Sequence, residues 1–225
     1  MDFTKNREKM SIRKNLFIQH ACMYTREGIK STLSRLSCGN IDLTVIAEKK
    51  YLEISDYLAL PGTDVDVFIL GLQNTYDSYG NTLDFIIKWL PLHYPQAKVI
   101  IMAQTLILGR LKDYLSGLNN VSAVLDNAIT INELSHYLQD TILNLPDVRQ
   151  KSKSTTPLTH QEIKVLKYLL KGMPTLQVAR TMQIHPKTVS AHKRAAMIKL
   201  GITSLHSLIQ CQVNLNMMDN LLTQK

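Results

Sequence analysis

Residues 158–209 read LTHQEIKVLKYLLKGMPTLQVARTMQIHPKTVSAHKRAAMIKLGITSLHSLI, and their punctuation predicts four short helices. Thr159 followed three residues later by Glu162 is a capping-box spacing, in which hydroxyl and carboxylate each satisfy one orphan backbone donor, so a helix starts there. Ile163, Leu166, Leu169 and Leu170 recur at helical spacing, and Gly172 with Pro174 ends the helix near Lys171. Thr175 can cap a second short helix carrying Val178, Ala179 and Met182. Gln183 to Pro186 make a tight connection, and Pro186 suits the first position of a third helix that runs to Leu200 and stops at Gly201.

On that third helix Val189, His192, Ala196 and Leu200 step by three and four residues, so they form one face that packs on the first two helices. Lys187, Ser190, Ala191 and Arg194 fall on the opposite face. A short helix, a tight turn and a helix with a small, basic outer face fits a major groove, because Ser and Ala let the backbone approach base edges that bulky side chains would hold away. Leu205, Leu208, Ile209 and Val213 make an amphipathic stripe on a fourth helix.

The segment resembles the four-helix DNA-binding domain of LuxR/NarL-type transcription factors. The resemblance is carried by Leu158-Thr159, Glu162, Val165-Leu166, Gly172, Val178-Ala179, Lys187-Thr188-Val189, His192 and Lys199-Leu200-Gly201, and SAHKRAAMIKLG is most similar to the Rcs-type branch. It implies that Ser190, Ala191 and Arg194 face bases, that Lys187, Thr188 and Lys193 position the helix on phosphates of double-stranded DNA, and that the fourth helix adds a dimer contact.

Charge agrees with that partner. Of the formal net charge of +8, residues 145–225 hold 12 Lys/Arg against 3 Asp/Glu, whereas residues 1–144 hold 14 against 15. Positive charge concentrated in the smaller part matches the counterion-release footprint of a phosphate-binding domain and is a poor match to a membrane-adsorbing protein. The three cysteines, Cys22, Cys38 and Cys211, are odd in number and form no CxxC pair, as expected of reduced thiols. Lys5, Arg7, Lys9, Arg13 and Lys14 precede an apolar run of only Leu16 to Ile18, too short for a signal peptide, and no stretch approaches the roughly 20 apolar residues of a membrane span. A cytoplasmic, nucleoid-associated protein is expected.

The first 144 residues alternate strand and helix. Runs at Leu16 to Ile18, Leu43 to Ala47, Val65 to Leu70, Val99 to Ala103 and Val121 to Leu125 have strand length and β-branched enrichment. Thr25 to Ser37, Glu48 to Ala59, Thr82 to His93, Leu106 to Gly117 and Ile131 to Asn144 have helical period. Five such units predict an α/β fold with a parallel sheet, flavodoxin-like and doubly wound in the order 2-1-3-4-5, followed by the all-α helix-turn-helix domain. LPDVRQKSKSTTP, residues 145–157, reads as a linker. The expected division is a basic tail at 1–14, the α/β domain at 15–144, that linker, and the DNA-binding domain at 158–225.

An α/β unit in front of such a domain resembles the receiver of response regulators. That resemblance implies an acidic pair after strand one, a phosphoacceptor Asp ending strand three, a Ser/Thr ending strand four and a Lys ending strand five, which together hold magnesium and neutralise a phosphoryl group. Every one is replaced. His20 and Ala21 stand at the acidic pair, Gly71 at the acceptor, Ala103 at the Ser/Thr and Asp126 at the Lys. The expectation is a pseudo-receiver that keeps the fold without the phosphotransfer chemistry.

His20 and Cys22 lack a third partner for a metal, and Asp64 and Asp66 lack the Lys or phosphate loop a carboxylate pair would need, so neither pair is taken as a site. No catalytic residue, metal, cofactor or small-molecule substrate is expected, and no membrane contact. The resemblance implies a non-enzymatic, DNA-binding regulator acting as a heterodimer with an Rcs-type response regulator. The partner would meet the helix beginning at Thr25 and the segment leading from strand five into Ile131 to Leu143. A homodimer controlled by a small ligand and an adaptor acting by protein contact are the competing readings.

Overall fold

A computed structural model of the chain describes residues 12–37, 41–49, 64–72, 78–143, 155–205 and 208. Five parallel strands, β1 (Ile12–Gln19), β2 (Ile41–Lys49), β3 (Val67–Leu72), β4 (Lys98–Ala103) and β5 (Val121–Asp126), form one sheet in the order β2-β1-β3-β4-β5. This is the doubly wound order expected from the alternating pattern. All six residues of β3 are buried, because helices cover both faces of the sheet.

The two faces follow the period-two alternation of strand side chains. Leu16, Ile18, Val67, Ile69, Ile100 and Met102 pack with Ile29 and Leu33 of α1 (Met23–Leu36) and Leu134, Leu138 and Ile142 of a helix at Ile131–Ile142. Phe17, Phe68, Leu70, Val99 and Ile101 point the other way. There they meet α2, which spans residues 78–93, and α3 (Thr105–Ser116). The helix at Ile131–Ile142, α4, opens with a capping box between Thr130 and Glu133.

Three boundaries differ from the expected ones. β1 begins at Ile12, inside the stretch read as a basic tail. Lys14 Nζ donates to Asp66 Oδ1 and the Asn15 N–H to Asp66 Oδ2, each at 2.8 Å, so this carboxylate secures the start of β1 to the entry of β3. β2 runs on through Glu48 and Lys49, where a helix was expected to begin; residues 50–59 of that helix lie outside the described residues. α2 starts at Ser78, earlier than Thr82, and is not regular. Between Ser78–Asp84 and Leu90–His93 it opens into a π-turn, Phe85–Trp89, in which the Leu90 N–H donates to Phe85 O, five residues back. Pro91 explains this, since it lacks an N–H and its ring crowds the preceding turn, and a widened turn accommodates both.

The helical half comprises α5 (His160–Leu170), α6 (Thr175–Met182) and α7 (Pro186–Leu200). The expected capping box closes α5: the Thr159 N–H donates to Glu162 Oε2 at 2.7 Å and the Glu162 N–H to Thr159 Oγ1 at 3.3 Å. Gly172 and Gly201 take positive φ, as helix-ending glycines do. Thr175 does not cap α6. Pro174 holds the N-cap position and Thr175 is the first helical residue.

The two halves share a core. Leu158, Ile163, Leu166, Leu170, Ala196 and Leu200 belong to the same apolar cluster as Phe68, Phe85, Leu111 and Leu115. The Leu158 N–H donates to Tyr114 Oη at 3.0 Å, and burial pushes that phenol up to about 12. Lys167 Nζ lies 3.4 Å from Asp84 Oδ2. Gly80 and Gly117 mark the closest approach, since a Cβ on either would run into Lys167 or Thr155 respectively. Residues 155–157 of the expected linker are anchored here, the Thr155 N–H donating to Gly117 O at 3.2 Å.

Candidate nucleic-acid interface and degenerate receiver site

The helix-turn-helix geometry is set locally. α6 ends on Gln183, which adopts the left-handed conformation (φ 56°, ψ 40°) and turns the chain within three residues into His185. His185 is the N-cap of α7: its Nδ1 accepts from the Lys187 N–H at 3.1 Å, and Pro186 follows without an N–H to leave unsatisfied. The imidazole cap was not foreseen, because His is not among the strong N-cap formers.

Packing then decides which side of α7 is free. Val189, Ala196 and Leu200 are buried, Val189 against Val165, Val178 and Ala179. His192, expected among them, is only half-buried. Lys187, Thr188, Ser190, Ala191 and Arg194 are all exposed, whereas Lys193 is half-buried on the flank of the helix. Five of the six residues expected at DNA thus share one exposed surface. Ile198 lies on it too, and the sequence reading passed over it.

The orientation of α7 rests on an ion pair that spans the helical half. Lys199 Nζ donates to Glu162 Oε2 at 2.8 Å and to Pro157 O at 3.2 Å, so the carboxylate of the capping box also holds the far end of α7. Glu162 is 5% exposed. Burial pushes its carboxyl up, but hydrogen bonds from Lys199 and from the Thr159 N–H outweigh that and hold it below the ordinary range.

At the carboxyl edge of the sheet lie the residues expected at the receiver positions, His20, Ala21, Gly71, Ala103 and Asp126. His20, buried, lies directly over Gly71: a Cβ on Gly71 would stand 2.5 Å from His20 Cδ2 and 3.2 Å from His20 Cα. The imidazole therefore fills the space a residue-71 side chain would need. Its Nδ1 accepts from the Cys22 N–H at 3.2 Å, and burial lowers the affinity of the ring for a second proton. Arg26 Nη1 donates to His20 O at 2.7 Å and Ala21 O at 3.1 Å, bringing a fixed cation to the loop that carries an acidic pair in receivers. Ala103 is buried at the end of β4. Asp126 accepts from Thr105 Oγ1 at 2.6 Å and from the Ala128 N–H at 2.8 Å, which uses the carboxylate to clasp β5 to α3. The Thr105 partner was missed because it lies 21 residues away, beyond any local pattern.

Among the described residues no group of three or more His, Cys, Asp or Glu could hold a metal ion, and no helix is long and apolar enough to cross a membrane.

A doubly wound parallel sheet is joined to a capped helix-turn-helix unit with a basic outer face. Residues 156–211 match the family model described as bacterial regulatory proteins, luxR family. The chain is 36% identical to the transcriptional regulatory protein EntR of Citrobacter freundii over 80 residues, 36% of this chain and 40% of that protein. It is 25% identical to the transcriptional regulatory protein RcsB of Escherichia coli K12 over 166 residues, 64% of this chain and 70% of RcsB. The fold is also that of RcsB from Salmonella enterica serovar Typhimurium bound to promoter rprA, with a TM-score of 0.55 and 21% identity over 88% of this chain and 97% of that one. An RcsB-DNA complex gives the same TM-score, 0.55, at 22% identity and the same coverage of 88% and 97%. The helical half matches the luxR-family model, and the chain as a whole is similar to the transcriptional regulatory protein RcsB.

Proposed function

We propose that α7 is the recognition helix of a transcriptional regulator whose α/β half is a phosphorylation-incompetent pseudo-receiver, and that the chain acts as a heterodimer with an Rcs-type response regulator. The observation that carries the DNA reading is the exposed face of Lys187, Thr188, Ser190, Ala191 and Arg194, opposite the buried Val189, Ala196 and Leu200. Ser190 and Ala191 permit close approach to base edges, Arg194 has the reach and the donors for a guanine, and Lys187 and Thr188 lie where the helix enters the groove, near phosphate. Lys193, on the flank, reaches backbone phosphate through its long stem.

The pseudo-receiver reading rests on the His20 ring over Gly71, the Arg26 guanidinium at the loop and the negative charge of Asp126 where the family places a lysine. With no carboxylate to accept a phosphoryl group, incubation with a small phosphodonor and magnesium should leave the mass unchanged. A gain of one phosphoryl group on residues 12–143 would overturn that reading.

Partner binding is supported by apolar side chains left in solvent. α1 and α4 pack side by side and both begin at the carboxyl edge of the sheet, where Met23, Tyr24 and Ile131 are exposed. Titrating a promoter fragment with this chain, with RcsB and with their mixture tests the pairing: the mixture should give a distinct complex at lower concentration than either alone. Specific binding by this chain alone, unchanged by RcsB, would replace the heterodimer with a homodimer.

Within that assay Arg194→Ala should cost about 1–3 kcal/mol of binding and relax sequence preference, whereas Lys187→Ala should weaken all sequences alike and flatten the salt dependence. Wild-type behaviour of both variants would mean that α7 does not enter the groove.

A further inference from the structure

The exposed face of α7 does not end at Arg194. Lys187, Ala191, Arg194 and Ile198 are spaced by four, three and four residues, so they form one straight stripe along the helix. Ile198 is 73% exposed, a large aliphatic side chain in the middle of the solvent face rather than at its edge. Its neighbours in sequence are engaged elsewhere: Lys199 holds Glu162, Met197 packs partly against the shared core and Leu200 is buried in it. The domain contact does not use it, since α7 meets the α/β half through the cluster containing Ala196 and Leu200, on the opposite side.

We infer that Ile198 is a specificity-determining residue that packs on the 5-methyl group of a thymine in the major groove. This rests on the reading of α7 as the recognition helix. From Lys187 to Ile198 the stripe covers about 16 Å at 1.5 Å per residue, close to five base-pair steps of 3.4 Å, so a helix that enters the groove at Lys187 and lies along it keeps Ile198 within reach of base edges. The thymine methyl is the one apolar feature the major groove offers, and an aliphatic side chain on the reading face is its complement. Arg194 one turn earlier supplies polar readout, so the stripe as a whole favours a thymine about two steps from the base Arg194 reads. An exposed isoleucine gains nothing from a phosphate or a guanine edge, which separates this role from those of Lys187 and Arg194.

The test uses the full chain with RcsB, with duplex DNA selected from a random library by pulling down this chain as the probe. Each thymine of the selected site is then replaced singly by deoxyuridine, which removes only the methyl group. With the wild-type chain, one replacement should weaken binding about fourfold, the worth of one buried methyl. Ile198→Ala should weaken binding to the thymine duplex by a similar factor, and deoxyuridine at that position should then have no further effect. Binding by Ile198→Ala that matches wild type, or a deoxyuridine effect that persists in it, overturns the inference. Loss of affinity with Arg194→Ala in the same series shows that the recognition helix stands even if the thymine contact fails. If no site is selected, the reading of α7 and this inference fall together.

Discussion

Gly71→Asp, which places a carboxylate at the proposed counterpart of the receiver phosphoacceptor, should destabilise the chain by about 3 kcal/mol or more and still leave it unphosphorylated. The new Cβ would stand 2.5 Å from His20 Cδ2 and 3.2 Å from His20 Cα. Rotating the ring away cannot relieve the second contact, because that atom is backbone, just past the end of β1. Overpacking of this kind costs about 1–3 kcal/mol, and a carboxylate placed without a partner among buried residues adds to it. Urea unfolding followed by circular dichroism measures the loss. Combining it with His20→Ala should recover part of the stability, since removing the ring frees the space it fills. Wild-type stability for Gly71→Asp alone, or a phosphoryl group on Asp at 71, would show that His20 does not occupy the site.

Lys199→Met should cost about 1–3 kcal/mol, since removing the cation of this partly buried pair leaves the Glu162 carboxylate without its charged partner. Lys199 is the partner that holds the buried Glu162 carboxylate below its ordinary pKa, against the burial that pushes it up. A carboxyl depressed in the folded state contributes stability that is full above its unfolded pKa and is lost as pH falls through the folded value. Wild-type stability therefore declines on acidification below the ordinary carboxylate range. In Lys199→Met burial dominates, the carboxyl moves up and protonation favours the folded state, so the gap between variant and wild type should narrow as pH falls. A gap independent of pH between 7 and about 4 would mean that the loss comes from packing of the lysine stem and not from the charge. Because the same pair holds the far end of α7, DNA affinity should fall as well.

Much of this was legible without coordinates. The Thr159–Glu162 box, the stops at Gly172 and Gly201, and Pro186 at the start of α7 are interactions within one helical turn, and all three appear in the structure. The strand runs were legible because a sheet covered on both faces needs continuous apolar segments, as β3 and β4 show. Errors fell where two local signals competed. Glu48 and Lys49 look helical by composition, yet they extend β2, whose pairing with β1 continues to Lys49. Thr175 is a good cap by type, but Pro174 already occupies that position. The Thr82 to His93 period passed over Pro91, which the structure accommodates with a π-turn that keeps the helix going to His93.

By itself the sequence determined the α/β-plus-helical architecture, the strand order, the capping box of α5 and the glycine stops of α5 and α7. Those features depend on the chemistry of a residue and its neighbours within about one turn or one strand, where spacing maps directly onto geometry. Tertiary structure alone decided that His20 lies over Gly71, 51 residues away in the chain, that Asp126 binds Thr105, and that Lys199 meets Glu162, 37 residues earlier. It also decided that the helical half shares a core with α2 and α3, which leaves the stripe from Lys187 to Ile198 as the free side of α7. Exposure is a property of what packs around a side chain: the period of α7 named its packed face, but only the tertiary structure showed that His192 on that face is half-buried and that Ile198 stands in solvent.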